Sequence, residues 1–502
     1  MITETAEAPI GELGNIVASW IKQGKRLGVV TARAFPNDGH IELITVLLDP
    51  QAALAKILIS QLGPNERAYP SISALAPQAH WFERALLDLF GVTPTGHPRL
   101  KSVILHEAWP EGFYPLAQSE PHIEIDGSPG KTYDFLEVKG EGVYEIPVGP
   151  IHAGIIEPGH FRFSCLGEVI QNLEIRLGYT HRGVEQRIAA TPWKAAHLVA
   201  EAASSDSAVA NAIAHAQAIE QILGVAAPPA ALGLRALALE IERVASHIGD
   251  LGGICGDIGF AGPSSIFAQL RGSALGLGER LTGARQQTAY VVPGGVTHPL
   301  AIDGRREILD RANALSKEFD AAQELLIDST AAIERMEDVG IVRPSLARDF
   351  GLVGPAARAC GIDYDVRRAF PTEPYTRLSW DVASASDCDV HARALVRIQE
   401  TRASFDLIRQ ILEEPADWEN VLTLLSNELP ANAIGIGIVE AWRGELIHLI
   451  CTDEAGKLAR YCIKDPSVNN WTGLAIAVRG QLVADFPLCN KSFGLSYSGN
   501  DL

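Results

Sequence analysis

Four side chains along the middle of the chain have the chemistry to carry protons: His152, Glu157, His160 and Glu185. An imidazole titrates nearest neutrality, and burial raises the pKa of a carboxylate toward working pH. Each also has a plainer reading. Glu157 and His160 flank Pro158-Gly159 and would fix a tight turn, and Glu185 would pair with Arg182 or another arginine. Farther along, Glu242, Arg243 and His247 read first as salt bridges of a helical bundle. Asp389, Arg393, Arg397 and Glu400, at steps of four, four and three, read as a stabilised helix face.

The cysteines offer less. Cys165, Cys255, Cys360, Cys388, Cys451, Cys462 and Cys489 are odd in number and nowhere form C-x-x-C, so scattered small core residues are expected and a local zinc or iron-sulfur site is not. No G-x-G-x-x-G follows a strand-like run, so dinucleotide binding is not expected of this chain. With 42 basic against 61 acidic residues the net charge is −19, which repels a phosphate backbone and argues against nucleic acid as a partner. The first residues lack the basic and apolar regions of a secretory signal, and no run approaches about 18 apolar residues. The expected place is the cytoplasm, with membrane contact peripheral and made through a partner.

To hold those side chains, 502 residues that are 47% hydrophobic and 21% charged must form two or more packed domains. The expected class is α+β. Residues 1–116 alternate β-like runs with two helices, one over 48–62 started by Asp49-Pro50 and one over 80–91 closed by Gly91. A Gly-, Pro- and Ser-rich linker is expected over 117–142. Residues 143–502 open with short strands, continue as a helical bundle (193–251, 264–291, 305–337 and 389–413), and return to peripheral β structure with turns at Gly444 and Gly456.

Motifs at fixed offsets tie these elements to known proteins. Trp81-Phe82-Glu83-Arg84, Asp88-Leu89-Phe90-Gly91-Val92 and Gly96-His97-Pro98 before Leu100 resemble the signature of the 30 kDa subunit of respiratory complex I. The second domain resembles the 49 kDa subunit of complex I and the large subunit of membrane-bound (group 4) nickel-iron hydrogenases of the hydrogenase-4 and formate hydrogenlyase type. The matching residues are Gly149-Pro150-Ile151-His152, Glu157-Pro158-Gly159-His160-Phe161, His181-Arg182-Gly183 with Glu185, Glu242-Arg243 with His247, Thr282-Gly283-Ala284-Arg285, Arg443-Gly444-Glu445 and Asp485-Phe486-Pro487-Leu488. Their order is kept over nearly the whole chain. The resemblance implies a subunit of a multisubunit oxidoreductase, docked to an iron-sulfur small subunit and through it to antiporter-like membrane subunits. NADH, if used, would bind another subunit.

In the hydrogenases so resembled, two C-x-x-C pairs give nickel and iron four thiolates, soft ligands matched to those metals. By the same motifs, those positions hold Ser204 and Ser207, then Ser496 and Gly499. No nickel-iron centre is therefore expected, and no other cofactor is firmly expected in this chain; the iron-sulfur cluster would belong to the partner. Asp206 between two serines is a poor cage for magnesium or calcium, and Ser204, Ser205 or Asp206 reads as the N-cap of the Ala-rich helix that follows. Quinone is a candidate ligand of the cavity, although Ile156 and Ser205 stand where the resemblance aligns the quinone-site His and Tyr. Arg271 precedes Gly272, where the family pattern has Glu. Three readings stay open: a redox-complex subunit that passes electrons or couples their transfer to the membrane arm, a structural scaffold without a redox ligand, and a hydrogenase with atypical ligands. The small polar replacements leave room in the cavity, which favours the first; the missing thiolates make the third the weakest.

Overall fold

Apolar runs in the N-terminal part form a sheet of order β1-β4-β3-β2, from β1 (Ile2–Glu7), β2 (Arg26–Phe35), β3 (His40–Asp49) and β4 (Leu54–Leu62), with α1 (Leu13–Lys22) between the first two. The computed structural model describes every residue except 36–37, 108, 118–132, 153–155 and 415–417, so most of the expected linker lies outside the described residues. The helix expected over 48–62 is absent. Asp49 ends β3 and accepts the Gln51 and Ala52 N–H groups at 3.1 and 3.2 Å, and the rest of the segment is β4, paired with β1 on one side and β3 on the other. A strand with neighbours on both edges satisfies its whole backbone, and this tertiary pairing overrides the local helical spacing.

The second expected helix is present as α2 (His80–Phe90), stopped by Gly91 at φ 67°. Its acidic residues anchor loops. Buried Glu83 accepts from Tyr69 Oη, Ser71 Oγ and the N–H groups of Ile72 and Ser73 at 2.7–2.9 Å, and Asp88 accepts the N–H groups of Val103, Ile104 and Leu105. Alongside, β5 (Ala68–Pro70) pairs in parallel with β6 (Thr93–Thr95).

An antiparallel sheet of β7 (Val143–Val148), β8 (His160–Leu166) and β9 (Val169–Arg176) opens the second part. The helical text of 193–251 is broken in the structure. After α3 (Val184–Ala190) come α4 (Ala196–Glu201), α5 (Ala208–Leu223) and α6 (Pro229–Asp257), separated by a turn at residues 204–207 and by Gly224, at φ 64°, ahead of Pro229. Next are α7 (Ala261–Thr282), a small hairpin of β10 (Val291–Val292) and β11 (Gly295–Val296), and α8 (Ile302–Ile327). Four short helices, α9 (Thr330–Glu334), α10 (Pro344–Asp349), α11 (Gly354–Arg358) and α12 (Val366–Ala369), lead to α13 (Val390–Glu413).

On α13 the expected charged face is a correction. Asp389 is the N-cap, accepting the Ala392 N–H at 2.8 Å, but Arg393, Arg397 and Glu400 are buried and bond to other elements. Arg393 donates to Ser492 and to the Gly340 carbonyl, Arg397 pairs with Asp250 at 3.0 Å, and Glu400 meets His247 at 2.8 Å and Arg358 at 2.7 Å. A charge taken out of water needs its partners wherever the fold supplies them.

The last sheet, β12 (Ile434–Ala441), β13 (Gly444–Thr452) and β14 (Leu458–Lys464), is antiparallel and turns at Gly444 and Gly456 as expected. It packs on α5, where a Cβ on Gly437 would overlap the Ala214 carbonyl. Its Ile436, Ile438, Ile447 and Leu449 also share one apolar cluster with Val30, Val46 and Phe82, so the C-terminal strands help to close the N-terminal core. The chain ends with α14 (Pro466–Ala477), α15 (Phe486–Phe493) and α16 (Tyr497–Asp501). All seven cysteines are buried and unpaired. Among the described residues no helix is long and apolar enough to cross a membrane.

Candidate functional site

The turn between α4 and α5 and the segment between α15 and α16 meet near the chain's end. Ser204 follows α4, and its Oγ lies 3.2 Å from Ser496 Oγ and 2.9 Å from Asp206 Oδ1. Ser496 is the N-cap of α16 and accepts the Gly499 N–H at 2.9 Å. Ser207 completes the group, 3.3 Å from Arg443. Ser204, Ser207, Ser496 and Gly499 are thus brought to one place.

Arg443, from the β12–β13 turn, occupies the middle. It holds Asp206 with two bonds of 2.7 Å, donates to the Gly494 carbonyl, and stacks on Trp442 with its guanidinium 3.8 Å from the ring centroid. Desolvation pushes the Asp206 carboxyl up, but the Arg443 guanidinium and the Ser204 hydroxyl outweigh it and hold the carboxyl below the usual range. The expected N-cap role of Ser204, Ser205 or Asp206 is not realised, since no side chain from this turn caps α5. Glu242 of α6 does so instead, accepting the N–H groups of Val209 at 2.7 Å and Ala210 at 3.3 Å. Burial, with Asp206 nearby, pushes the Glu242 carboxyl up to about 8.

Asp465 closes the far side. It caps α14 by accepting the Ser467 N–H at 2.8 Å, and burial raises its carboxyl above the usual range although Arg443 opposes this. A Cβ on Gly499 would meet Asp465 Oδ2 and Ser496 Oγ at under 3 Å. Arg443 and Asp465 complete the cluster, and sequence reasoning gave neither a site role. The only local signals were Arg443-Gly444-Glu445 among the matched motifs and an Asp-Pro helix start at Asp465.

The four candidate proton carriers are not gathered together. Glu157 reaches the edge of the cluster, accepting the Ser498 N–H at 3.0 Å. His152 and His160 are engaged by main-chain oxygens of Gly159 and Gly149, at 2.8 and 3.1 Å, and burial holds His160 below the usual imidazole range. Both therefore brace the loop that carries Glu157. Glu185 is elsewhere. It pairs with Arg460 at 2.7 Å, not with Arg182, and accepts the Ile463 N–H on the wall of a cavity of about 100 Å³ walled by Phe82, Leu86 and Phe90. Ile156 and Ser205 are both exposed.

Behind Glu242, Arg243 and His247 enter a fully buried charge network. Arg243 donates to Glu240 at 3.2 Å and to the Ala441 carbonyl at 3.1 Å, and Arg358 donates to Glu440 at 2.8 Å. The salt-bridge reading holds for Arg243; His247, which burial keeps below the usual imidazole range, is hydrogen-bonded to Glu400, and Glu242 caps α5 instead of pairing. Burial, with Asp365 beside it, pushes Glu440 up to about 7.

Residues 15–124 match the family of the respiratory-chain NADH dehydrogenase 30 Kd subunit, and residues 257–428 match that of the 49 Kd subunit. The chain is 30% identical over 494 residues to formate hydrogenlyase subunit 5 of Escherichia coli, covering 96% of this chain and 86% of that one. It is 28% identical over 478 residues to hydrogenase-4 component G of the same organism, with 93% and 83% covered. With the C/D subunit of the NADH-quinone oxidoreductase of Bdellovibrio bacteriovorus it shares 27% identity over 434 residues, with 82% and 76% covered.

Proposed function

Because the chain belongs to the family of fused 30 kDa- and 49 kDa-type subunits that includes formate hydrogenlyase subunit 5, we propose that it is the large subunit of a hydrogenase-4/complex I-like oxidoreductase complex working without a nickel-iron centre. The observation that carries this reading is the convergence of Ser204, Ser207, Ser496 and Gly499 on the Arg443–Asp206 ion pair. This donor set does not suit nickel and iron. Hydroxyls ionise too weakly to stand in for bridging thiolates, Gly499 brings no side chain, and a guanidinium in the middle repels a metal cation.

In this reading the chain sits at the cytoplasmic face of a membrane, on an iron-sulfur small subunit that links it to antiporter-like membrane subunits. Electrons come from the partner's cluster, and NADH, if it is the donor, binds elsewhere. Quinone is the acceptor class favoured by kinship with the NADH-quinone oxidoreductase subunits, and Glu157, on the loop braced by His152 and His160, is the nearest of the selected proton carriers to the cluster. Glu185, bonded to Arg460, serves by holding α3 against β14.

The test is elemental analysis and quinone extraction on the complex purified with its native partners, beside hydrogen-dependent dye reduction. Iron without nickel, no hydrogen uptake and bound quinone are expected. Stoichiometric nickel with hydrogen uptake would overturn the reading, and absence of both nickel and quinone would replace it with a scaffold.

A further inference from the structure

The groups at the former ligand positions have a property that metal-bound thiolates lack. A hydroxyl donates one hydrogen bond while accepting others, so hydroxyls in contact form a row along which a proton passes by successive transfer. Asp206 Oδ1, Ser204 Oγ and Ser496 Oγ are such a row, with steps of 2.9 and 3.2 Å. Its polarity is set from both ends. The Gly499 N–H donates into Ser496 Oγ, while the ionised Asp206 carboxylate only accepts, so Ser496 donates to Ser204 and Ser204 to Asp206.

Both ends lead somewhere. At the Ser496 end, Ser496 Oγ and Asp465 Oδ2 each lie under 3 Å from where a Cβ on Gly499 would sit, a separation that one bridging water spans. Asp465 is only 2% exposed. At the other end Asp206 keeps 39% of its side chain exposed. It lines, with Glu242, Ser246, Arg271 and Gln287, a cleft between α6 and α7 of about 20 Å³, enough for a water molecule. In that cleft the buried Gln287 Oε1 has no hydrogen-bond partner among the described residues.

We infer that Asp465, Ser496, Ser204 and Asp206 form a proton path from the buried side of the site to the α6–α7 cleft. The path rests on the proposed absence of a nickel-iron centre, because thiolates committed to metal could not act as these hydroxyls do. In one passage Asp465 gives up its carboxyl proton to the bridging water, which passes one of its own to Ser496. Ser496 hands its hydroxyl proton to Ser204, Ser204 hands its own to Asp206, and Asp206 releases one to water in the cleft. Each oxygen between the two ends finishes with as many protons as it began with, one proton has moved, and no electrons are exchanged. Arg443 acts on both carboxylates, Glu242 and Arg271 face the cleft end, and Lys464 adjoins Asp465.

The path can be tested without electron transfer. In the protein isolated with its native partners, a laser-induced pH jump is followed by infrared spectroscopy at the carboxyl band that Asp465→Asn abolishes. Ser204→Ala and Ser496→Ala are each expected to slow the rise of that band about tenfold or more, and Ser496→Thr, which keeps the hydroxyl, to restore the parental rate. Alanine variants that respond at the parental rate would overturn the path, as would the absence of any Asp465-dependent band. Metal analysis of the same sample separates the two proposals: nickel would remove the premise, whereas a failed infrared test in nickel-free protein removes the path alone.

Discussion

At Gly499 the close approach of Asp465 and Ser496 leaves no room for a side chain. Gly499→Cys would drive a Cβ against the Asp465 carboxylate and Ser496, and overpacking of this kind costs about 1–3 kcal/mol. The expected result is a lowered Tm that Asp465→Ala partly restores in the double variant, read by a double-mutant cycle; additive losses would show that the two positions do not collide. Glu242 gives a second prediction. Folded, its carboxyl is pushed from an ordinary 4.5 to about 8, so between those values the folded protein holds a proton that the unfolded chain has released. Its contribution to stability is full below the unfolded pKa and is lost as pH rises through the folded one. Across about pH 5–8 the parental Tm should therefore fall more steeply than that of Glu242→Gln, measured by calorimetry; parallel curves would contradict the assignment. The motif Glu242-Arg243 was legible in the sequence, but its task of capping α5 was not, because the capped N–H groups come from a distant turn.

The elements owe their positions to buried polar anchors as much as to apolar faces. Glu83 gathers the 69–73 loop onto α2 through Tyr69, Ser71, Ile72 and Ser73. Glu83→Ala leaves those donors buried without their acceptor and is expected to cost about 3–5 kcal/mol, the range for removing one partner from a buried charged network. Urea unfolding measures it, and a loss below about 1 kcal/mol would mean that water replaces the carboxylate. The α5–β12 contact depends on shape instead. Gly437→Ala would press its Cβ into the Ala214 carbonyl, and the expected loss is about 1–3 kcal/mol. Element types were readable where length and a stop signal agreed, as in α2 with Gly91, or where a helical run was long, as in α13. They were misread at 48–62, where apolar spacing fits a helix locally and only pairing on both edges makes a strand.

At the scale of the whole molecule the two sequence-defined parts share a core. Strands β12–β14 contribute Ile436, Ile438, Ile447 and Leu449 to the cluster that holds Val30, Val46 and Phe82, and Arg460 of β14 donates to Ala32 and Thr31 of β2. Residues 1–116 expressed alone would expose that apolar face. They are expected to lack a cooperative transition in calorimetry, while the full chain shows the N-terminal and C-terminal sheets melting together; an independently folding fragment would contradict the shared core.

The sequence by itself determined the family kinship, the α+β class, the order of the motifs and the absence of any C-x-x-C pair, because these are matters of residue identity and spacing along the chain. Only the tertiary structure decided that Ser204 and Ser496, far apart in sequence, touch; that the Arg443–Asp206 ion pair lies against Ser204 and Ser207; that Glu185 serves Arg460 away from the cluster; and that Arg393, Arg397 and Glu400 are buried. A buried charge or hydroxyl is satisfied by whatever partner the fold brings within hydrogen-bond reach, and that partner has no fixed offset in the sequence.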